Sequence, residues 1–407
     1  MRVGILSRGP KLYSTQRLYE AAAKRGHDVE VLDTLGFSIV VEEDAPGLLY
    51  QGEPVTPWDA VIPRIGASLT LFGTAVVRQF EQMGVFTLAS SHAIGVARDK
   101  LRSIQVLSRH TVGFPPTVFL HDPSRVEQAM AEIGGPPAVI KVLEGTQGVG
   151  VILCESVKNA QAILETLQLA RQHVLIQKFI VESRGRDLRA FVVGDRVVAA
   201  MRRVAQGDEF RANVHRGGRV EKVDLSPEYA AVAIRAAQIM GLRVAGVDML
   251  EADDGPLVIE VNSSPGLEGI EEATGVDVAD AVIAHLEEQV LFPDVDLRQR
   301  LTLKSGYGVA EIAVDRESAL AHSRVGWSGL REREVAVLSI QRGSVTIPNP
   351  SDDREILPGD LLLCFGKLLT MRTMIPTQRA SPVPSRRPRA VTLDDASAAN
   401  RGERRGG

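Results

Sequence analysis

Glu260 and Asn262 stand two residues apart in the run Val258-Ile259-Glu260-Val261-Asn262-Ser263-Ser264-Pro265-Gly266. On a strand that spacing turns both side chains to one face. Asp248 lies upstream in Gly246-Val247-Asp248-Met249-Leu250, across a predicted hairpin turn at Asp253-Asp254-Gly255. Two carboxylates and an amide oxygen converging on one spot suit a hard cation. A glutamate can bridge two such ions, and the ions can bridge phosphate oxygens. That would offset the repulsion between a polyphosphate and the acids. The competing reading is a surface hairpin with scattered acids, but apolar flanks on both predicted strands weigh against a solvated face.

A second pattern is Ala138-Val139-Ile140-Lys141-Val142, followed by a turn with glycines at 145, 148 and 150 and by a further apolar run to Cys154. Glycines let backbone N–H groups approach a phosphate without Cβ clashes. Lys141 adds a point charge. No Gly-Lys-Ser/Thr closes this turn and it does not open a helix, so it is not a phosphate loop of the strand-to-helix kind. Taken alone it is also compatible with an ordinary hairpin. A third run, Val174 to Ile180, is an apolar strand that breaks at Lys178 and Phe179 into a polar loop holding Asp187 and Arg189. Its edge offers backbone groups to a planar base. A fourth segment gathers Arg202, Arg203, Arg211, Asn213 and Arg216 among glycines. A run of arginines is often a solvated face; Gly and Asn at a strand-to-loop junction favour an anion site. Lys100 either starts a helix or reaches a phosphate. Arg8 and Arg64 follow predicted strands, where a basic loop is a common ligand position, and a solvated turn explains each equally well.

The elements that must position these groups read as follows. Val3–Leu6, a helix near Ser14–Lys24, Asp28–Leu32 and Ala60–Ile65 suggest a parallel α/β unit. One helix is expected near Ser90–Arg109. Beyond it strands come in neighbouring pairs: Ala138–Val142, Val149–Cys154, Val174–Phe179, Leu188–Val193, Val197–Arg202, Val244–Leu250 and Leu257–Val261. Helices fall near Val157–Arg171 and Pro227–Met240. This predicts a mixed or antiparallel sheet of α+β character. Phe292–Arg300 reads as a connector, Leu301–Leu369 as a small β-rich domain, and the chain from about Pro376 as a disordered tail rich in Pro, Ser, Ala and Arg.

Composition narrows the classes. The chain has 407 residues, enough for two to four domains, and 44% hydrophobic and 24% charged residues, ordinary for a globular protein. A net charge of -4 gives no reason to expect direct nucleic-acid binding or an anionic membrane surface. The N-terminus has no signal-peptide pattern and no window reaches the length of a membrane span. Cys154 and Cys364 lack metal-ligand spacing and read as reduced thiols in a cytoplasmic protein.

From Met1 to about Leu286 the sequence resembles the RimK-type α-L-glutamate ligases, through LSRGPKLYSTQRLYEAA, AVIPRIG, ARDKLRS, KVLEGTQGVGV, EFRANVHRGG, AGVDML and EVNSSPGLEGIE. These are ATP-grasp enzymes that add glutamate to the C-terminus of a small-subunit ribosomal protein. The resemblance implies an ATP-grasp fold with an N-terminal parallel α/β domain at 1–94 and a catalytic domain at 95–290; beyond it the sequence pattern places a linker at 291–300, a small β-rich domain at 301–375 and a tail at 376–407. It implies that Lys100 and Lys141 contact ATP phosphates and that Lys178 and Phe179 present backbone to the adenine. Asp187, Arg211 and Asn213 would line the ATP site. Asp248, Glu260 and Asn262 would hold two Mg²⁺ or Mn²⁺ ions, and Arg189 and Arg203 would stabilise an acyl phosphate. The sequence departs from the pattern at Lys178, where such ligases often carry Glu; a main-chain contact tolerates that change. Leu301–Leu369 resembles the C-terminal module of TrkA-type potassium-uptake regulators, which implies a small regulatory ligand or dimerisation, and a homo-oligomer is expected.

The implied chemistry has two steps. A carboxylate attacks the γ-phosphate of ATP, and the acyl phosphate is then attacked by the amine of glutamate. No nucleophilic side chain is needed. Two other readings stay open: a ligase for a small peptide or cofactor acceptor, and a nucleotide-sensing regulator without turnover. ADP release in the presence of glutamate separates the regulator from either ligase.

Overall fold

The computed structural model describes residues 1–43, 45–110, 112–143, 150–170, 172–207, 209–212, 218–291, 306–343 and 345–374. Asn213, Arg216, residues 144–149 of the glycine-rich turn, the connector Phe292–Arg300 and the tail from Pro376 lie outside the described residues. The chain divides into two compact units, Met1–Leu303 and Lys304–Gly407.

The first unit opens with Arg2–Leu6 (β1), helix Tyr13–Lys24 (α1) and Asp28–Leu32 (β2), the two strands parallel. Phe37–Val40 (β3), Gly47–Tyr50 (β4) and Glu53–Pro54 (β5) form a small antiparallel sheet absent from the sequence reading. Ala60–Pro63 (β6) then pairs with the other side of β1, and helix Thr70–Gln82 (α2) leads to Phe86–Thr87 (β7). The order is β2-β1-β6-β7, all parallel. Val3 to Leu6 is buried on both faces, the reason such a strand reads as a continuous apolar run. Helix α1 turns Leu18, Ala21 and Ala22 inward at i, i+3 and i+4.

The single helix expected over Ser90–Arg109 is two helices, Ser91–Arg98 (α3) and Lys100–Leu107 (α4). Asp99 between them is extended (φ -89°, ψ 103°), and its carboxylate accepts the Arg102 N–H at 3.0 Å. Asp favours this capping conformation over a helix interior. The break puts Lys100 in the first turn of α4.

A lobe follows, built from Thr117–Leu120 (β8), helix Val126–Glu132 (α5), Ala138–Val142 (β9), Val151–Cys154 (β10), helix Val157–Leu169 (α6) and Val174–Lys178 (β11). Its antiparallel sheet has the order β10-β9-β11-β8. It has its own core, in which Met130, Ile140, Leu164 and Ile176 meet.

The largest sheet is antiparallel: Arg186–Val193 (β12), Arg196–Val204 (β13), Arg219–Lys222 (β14), Val244–Ala252 (β15) and Gly255–Asn262 (β16), in the order β14-β13-β12-β15-β16. Helices Pro227–Ile239 (α7), Glu268–Thr274 (α8) and Val278–Leu291 (α9) cover it. Along β12, Leu188, Ala190 and Val192 join one core with Phe80, Ile94 and the alanines of α7. Phe191 and Val193 join another with Val3, Ile5, Leu18 and Ile283. The parallel sheet and this one therefore share two cores and pack as one body.

The second unit is a four-stranded antiparallel sheet in the order β17-β20-β18-β19. Its strands are Tyr307–Ala313 (β17), Val335–Arg342 (β18), Val345–Pro348 (β19) and Leu361–Lys367 (β20), and Leu368–Arg372 (α10) ends the described chain. Its core includes Ile312, Leu330, Ile340, Ile356 and Leu362. The Asp360 carboxylate, 1% exposed, takes two hydrogen bonds from Arg342 at 2.8 and 2.7 Å and one from the Leu357 N–H at 2.8 Å.

Candidate active site

Cross-strand register assembles the charged residues. Asp248 is paired with Arg189 on β12 and with Glu260 on β16; Asp187 is paired with Arg203 on β13. Directly opposed residues in an antiparallel sheet share a face. Asp187, Arg189, Phe191 and Val193 alternate along that face of β12. It is apolar where it meets the cores and charged beyond them. Asn262 is paired with Gly246, two residues along from the Asp248–Glu260 pair. A bulge follows Asp248. Such irregularities commonly re-aim side chains beside a site.

Four of these side chains form one buried network. Arg189 grips Asp248 through Nε and Nη2, both at 2.7 Å. Arg203 grips Asp187 at 2.5 and 2.8 Å and reaches the second Asp248 oxygen at 2.8 Å. Arg203, Asp187 and Asp248 are buried. Burial pushes the Asp187 carboxyl up against the pull of Arg203. It acts on Asp248 too, but two guanidiniums outweigh it and hold that carboxyl below the usual range. Arg203 keeps its proton more firmly than a free arginine, because the two carboxylates outweigh the cost of its desolvation. The network uses Nε and Nη2 of each arginine. Neither Nη1 makes a hydrogen bond to a described residue.

Glu260 is different. It is exposed and makes no hydrogen bond or ion pair to any described residue. Three cations feel its charge: Arg98, Lys100 and Lys141. Lys141, on β9 before the glycine-rich turn, is half-buried, and burial pushes its ammonium down to about 8 despite the pull of Glu260. Lys100 is also pushed down by burial, and its Nζ donates to the Leu143 carbonyl at 2.7 Å. Lys100 on α4, Lys141 on the lobe and the sheet's acids thus face a common space. Two carboxylates and an amide form an oxygen-only donor set suited to Mg²⁺ or Mn²⁺. Glu260 and Asn262 fit that use as they stand. Asp248 fits it only if one guanidinium yields an oxygen.

The predicted adenine edge is occupied by backbone contacts: Lys178 N–H donates to Pro116 O at 2.8 Å and Phe179 N–H to Pro137 O at 3.2 Å. Phe179 is buried against Phe210 at 6.2 Å between ring centroids, while the Lys178 side chain is exposed. Arg211 lies over the Phe210 ring, takes both Glu209 oxygens at 2.9 and 2.8 Å, and donates to Val151 O on β10 at 3.3 Å. It ties the loop after β13 to the lobe.

Two arginines go beyond what the sequence reading resolved. Arg64 follows β6 and Arg98 ends α3, and the fold sets them side by side, with Arg98 near Glu260. Arg64 was readable only as a basic loop after a strand, and Arg98 only as a neighbour of Lys100. Among the described residues no three acidic, histidine or cysteine side chains cluster as a metal site, and no helix is long and apolar enough to cross a membrane.

Residues 1–94 match the family model of the RimK PreATP-grasp domain and residues 97–286 that of the RimK-like ATP-grasp domain. The chain is 56% identical over 398 residues, 98% of each chain, to a protein of Rhodopirellula baltica named probable alpha-L-glutamate ligase. It is 54% identical over 289 residues to the probable alpha-L-glutamate ligase 1 of Hahella chejuensis, covering 71% of this chain and 95% of that one. The solved ATP-grasp ligase PsnB, complexed with a phosphomimetic variant of its minimal precursor, Mg and ADP, superposes with a TM-score of 0.56 at 24% identity, over 70% of this chain and 97% of PsnB. That last likeness is one of fold. With residues 1–94 and 97–286 matched by the two RimK models and a relative similar over almost its whole length, this chain belongs to the RimK-type family of ATP-grasp ligases.

Proposed function

We propose that the chain is an α-L-glutamate ligase that joins glutamate to the C-terminus of a protein, a small-subunit ribosomal protein, through an acyl phosphate. The observation that carries this is the opposition of Lys100 and Lys141 to Asp248, Glu260 and Asn262 across one space, with Arg189 and Arg203 beside them. A triphosphate needs the lysines. An acceptor carboxylate and the acyl phosphate made from it need the arginines, whose planar forks pair with carboxylates and phosphates.

In this reading Lys100 and Lys141 hold the phosphates, and Asp187, Arg211 and Asn213 line the nucleotide site. Lys178 and Phe179 border the adenine with main-chain groups. Asp248, Glu260 and Asn262 would hold two Mg²⁺ or Mn²⁺ ions, which supply charge neutralisation at the transferring phosphoryl group. The open Nη1 groups of Arg189 and Arg203 face the acyl phosphate, while their other nitrogens stay locked on Asp248 and Asp187. Catalysis rests on positioning and electrostatics, and no side-chain nucleophile takes part. For the second unit we keep a regulatory role of TrkA type as part of the proposal. Its support is the contrast between relatives: the Rhodopirellula baltica protein extends over that unit, and the Hahella chejuensis ligase matches only 71% of this chain.

The test offers purified enzyme, ATP, Mg²⁺ and glutamate with the intact ribosomal protein, with a copy lacking its last residues, and with neither. Glutamyl mass additions on the intact protein alone support the reading. Strong glutamate-dependent ADP release with no mass change on any ribosomal protein moves the acceptor to a small molecule. No ADP release under any condition leaves the nucleotide-sensing regulator.

A further inference from the structure

The parallel sheet has a place where ligands gather. From β1 the chain pairs first with β2 on one side and then with β6 on the other. In open α/β sheets the crevice outside the carboxyl ends of two such diverging strands is a binding position. Arg64 stands there, its N–H held by Leu6 O at 2.9 Å. Its guanidinium makes no hydrogen bond or ion pair to any described residue.

Arg98 arrives from the end of α3. Its Nη2 donates to Ile65 O, which anchors it beside Arg64, and its Nε is buried with no hydrogen-bond partner. Ser263, next to Asn262, adds a second orphan: its Oγ is buried and unsatisfied, and it lines a small cavity with Arg64. Buried polar groups in folded proteins are normally paired, and a shielded charge without a counter-ion is costly. Two adjacent guanidiniums repel each other as well. Burial pushes the Arg64 group down to about 10 and lowers Arg98 too, and the acid acting on Arg98 is Glu260, which three cations share. An ordinary solvated turn would leave its arginines in water, with no orphaned donor.

We propose that Arg64 and Arg98 form the subsite for a carboxylate of the incoming amino-acid substrate. The proposal rests on the glutamate-ligase reading and deepens it. The forks suit a planar carboxylate, whereas Lys100 and Lys141 supply point charges for phosphates. The position also fits the chemistry. Arg98 is one residue from Asp99, which starts the Lys100 helix, and lies near Glu260. A carboxylate held there keeps the amine of the same molecule close to the phosphoryl-transfer space.

The test is calorimetric titration of L-glutamate into the full-length protein saturated with Mg²⁺ and the non-hydrolysable analogue AMPPNP. It is run on wild type, Arg64→Gln, Arg98→Gln and Arg98→Lys, with AMPPNP affinity measured separately. We expect each glutamine variant to weaken glutamate binding at least about tenfold, the scale of a lost hydrogen bond to a charged group. AMPPNP affinity should stay unchanged, and Arg98→Lys should recover part of the loss. Should Arg98→Gln fail to fold, Arg64→Gln still decides, since the Arg64 guanidinium holds no described residue in place. Loss of AMPPNP affinity with glutamate affinity intact would make this a phosphate site and overturn the proposal. Unchanged glutamate affinity in both glutamine variants overturns it too. Wild type that binds AMPPNP but no glutamate overturns the ligase reading itself, a different result from the other two.

Discussion

The charged groups of the site fall into two regions with opposite balance. On the large sheet Arg189, Arg203, Asp187 and Asp248 neutralise one another through hydrogen bonds of 2.5–2.8 Å. Along the facing rim Arg98, Lys100 and Lys141 share the charge of Glu260, Lys141 also feels Asp248, and Arg64 stands beside Arg98. The first region balances its own charge in a hydrogen-bonded scaffold that leaves Nη1 of each arginine open. In the second, cations outnumber the acid beside them, which is why the proposals above place anions there. Rigid cations that are already desolvated lose little when a polyanion arrives, which is the sense in which a site is preorganised.

The sharpest way to break this contrast is to remove the anion at the centre of the scaffold. Asp248→Ala leaves two guanidiniums facing each other in a buried place and should cost about 3–5 kcal/mol, the scale of a broken buried ion pair. Denaturant unfolding of the Met1–Leu303 unit measures it. A cost under about 1 kcal/mol, the range of an exposed pair, would show that the network is solvated. Glu260→Gln is the counterpart on the rim. Glu260 holds no described residue in place, so the fold should keep its melting temperature. Glutamate-dependent ADP release should fall roughly 100-fold or more, as when one electrostatic stabiliser is lost. Wild-type turnover with the usual Mg²⁺ dependence would remove Glu260 from the proposed metal set.

A smaller effect concerns Lys141. Its ammonium sits at about 8, below the 10.5 of a free lysine. The charged form is thus disfavoured in the folded protein, and the fold should gain stability as pH rises from about 8 towards 10.5. A nucleotide needs the charged form, so its affinity should run the other way and fall by up to about tenfold between pH 7.5 and 9. Proton uptake on binding should be visible in buffers of different ionisation enthalpy. Lys141→Gln should flatten that profile; a profile unchanged by the substitution assigns the titration elsewhere. The smallest effect is expected from cutting the chain near Asp296. Turnover should stay within about twofold if the second unit folds by itself. Loss of nucleotide binding in the shortened chain would place part of the site beyond the first unit.

Much of the site was legible because its geometry is local. Glu260 and Asn262 share a face through the two-residue period of a strand, and the hairpin at Asp253-Asp254 brings Asp248 opposite Glu260. The β9–β10 pairing of Lys141 with Val151 follows from the same short-range logic. Other features were hidden. The break at Asp99 rests on a single cap inside an otherwise helical pattern, and β3–β5 and β19 are too short to stand out from their loops.

What the sequence determined by itself was residue type and spacing: carboxylates and an amide at strand period, a lysine before a run of glycines, and arginines at strand ends. Residue type and period two are properties of the chain, and they survive without knowledge of the fold. Only the tertiary structure decided the partners. Arg189 and Arg203 could be read as two free cations, yet each is fastened to an aspartate that register alone placed across from it. Arg64 read equally as a solvated turn and Arg98 only as a neighbour of Lys100 in a predicted helix, until two elements 33 residues apart in sequence met through Ile65 and set the two charges side by side. Charge balance is set by distance and burial, and both belong to the folded chain rather than to its order of residues.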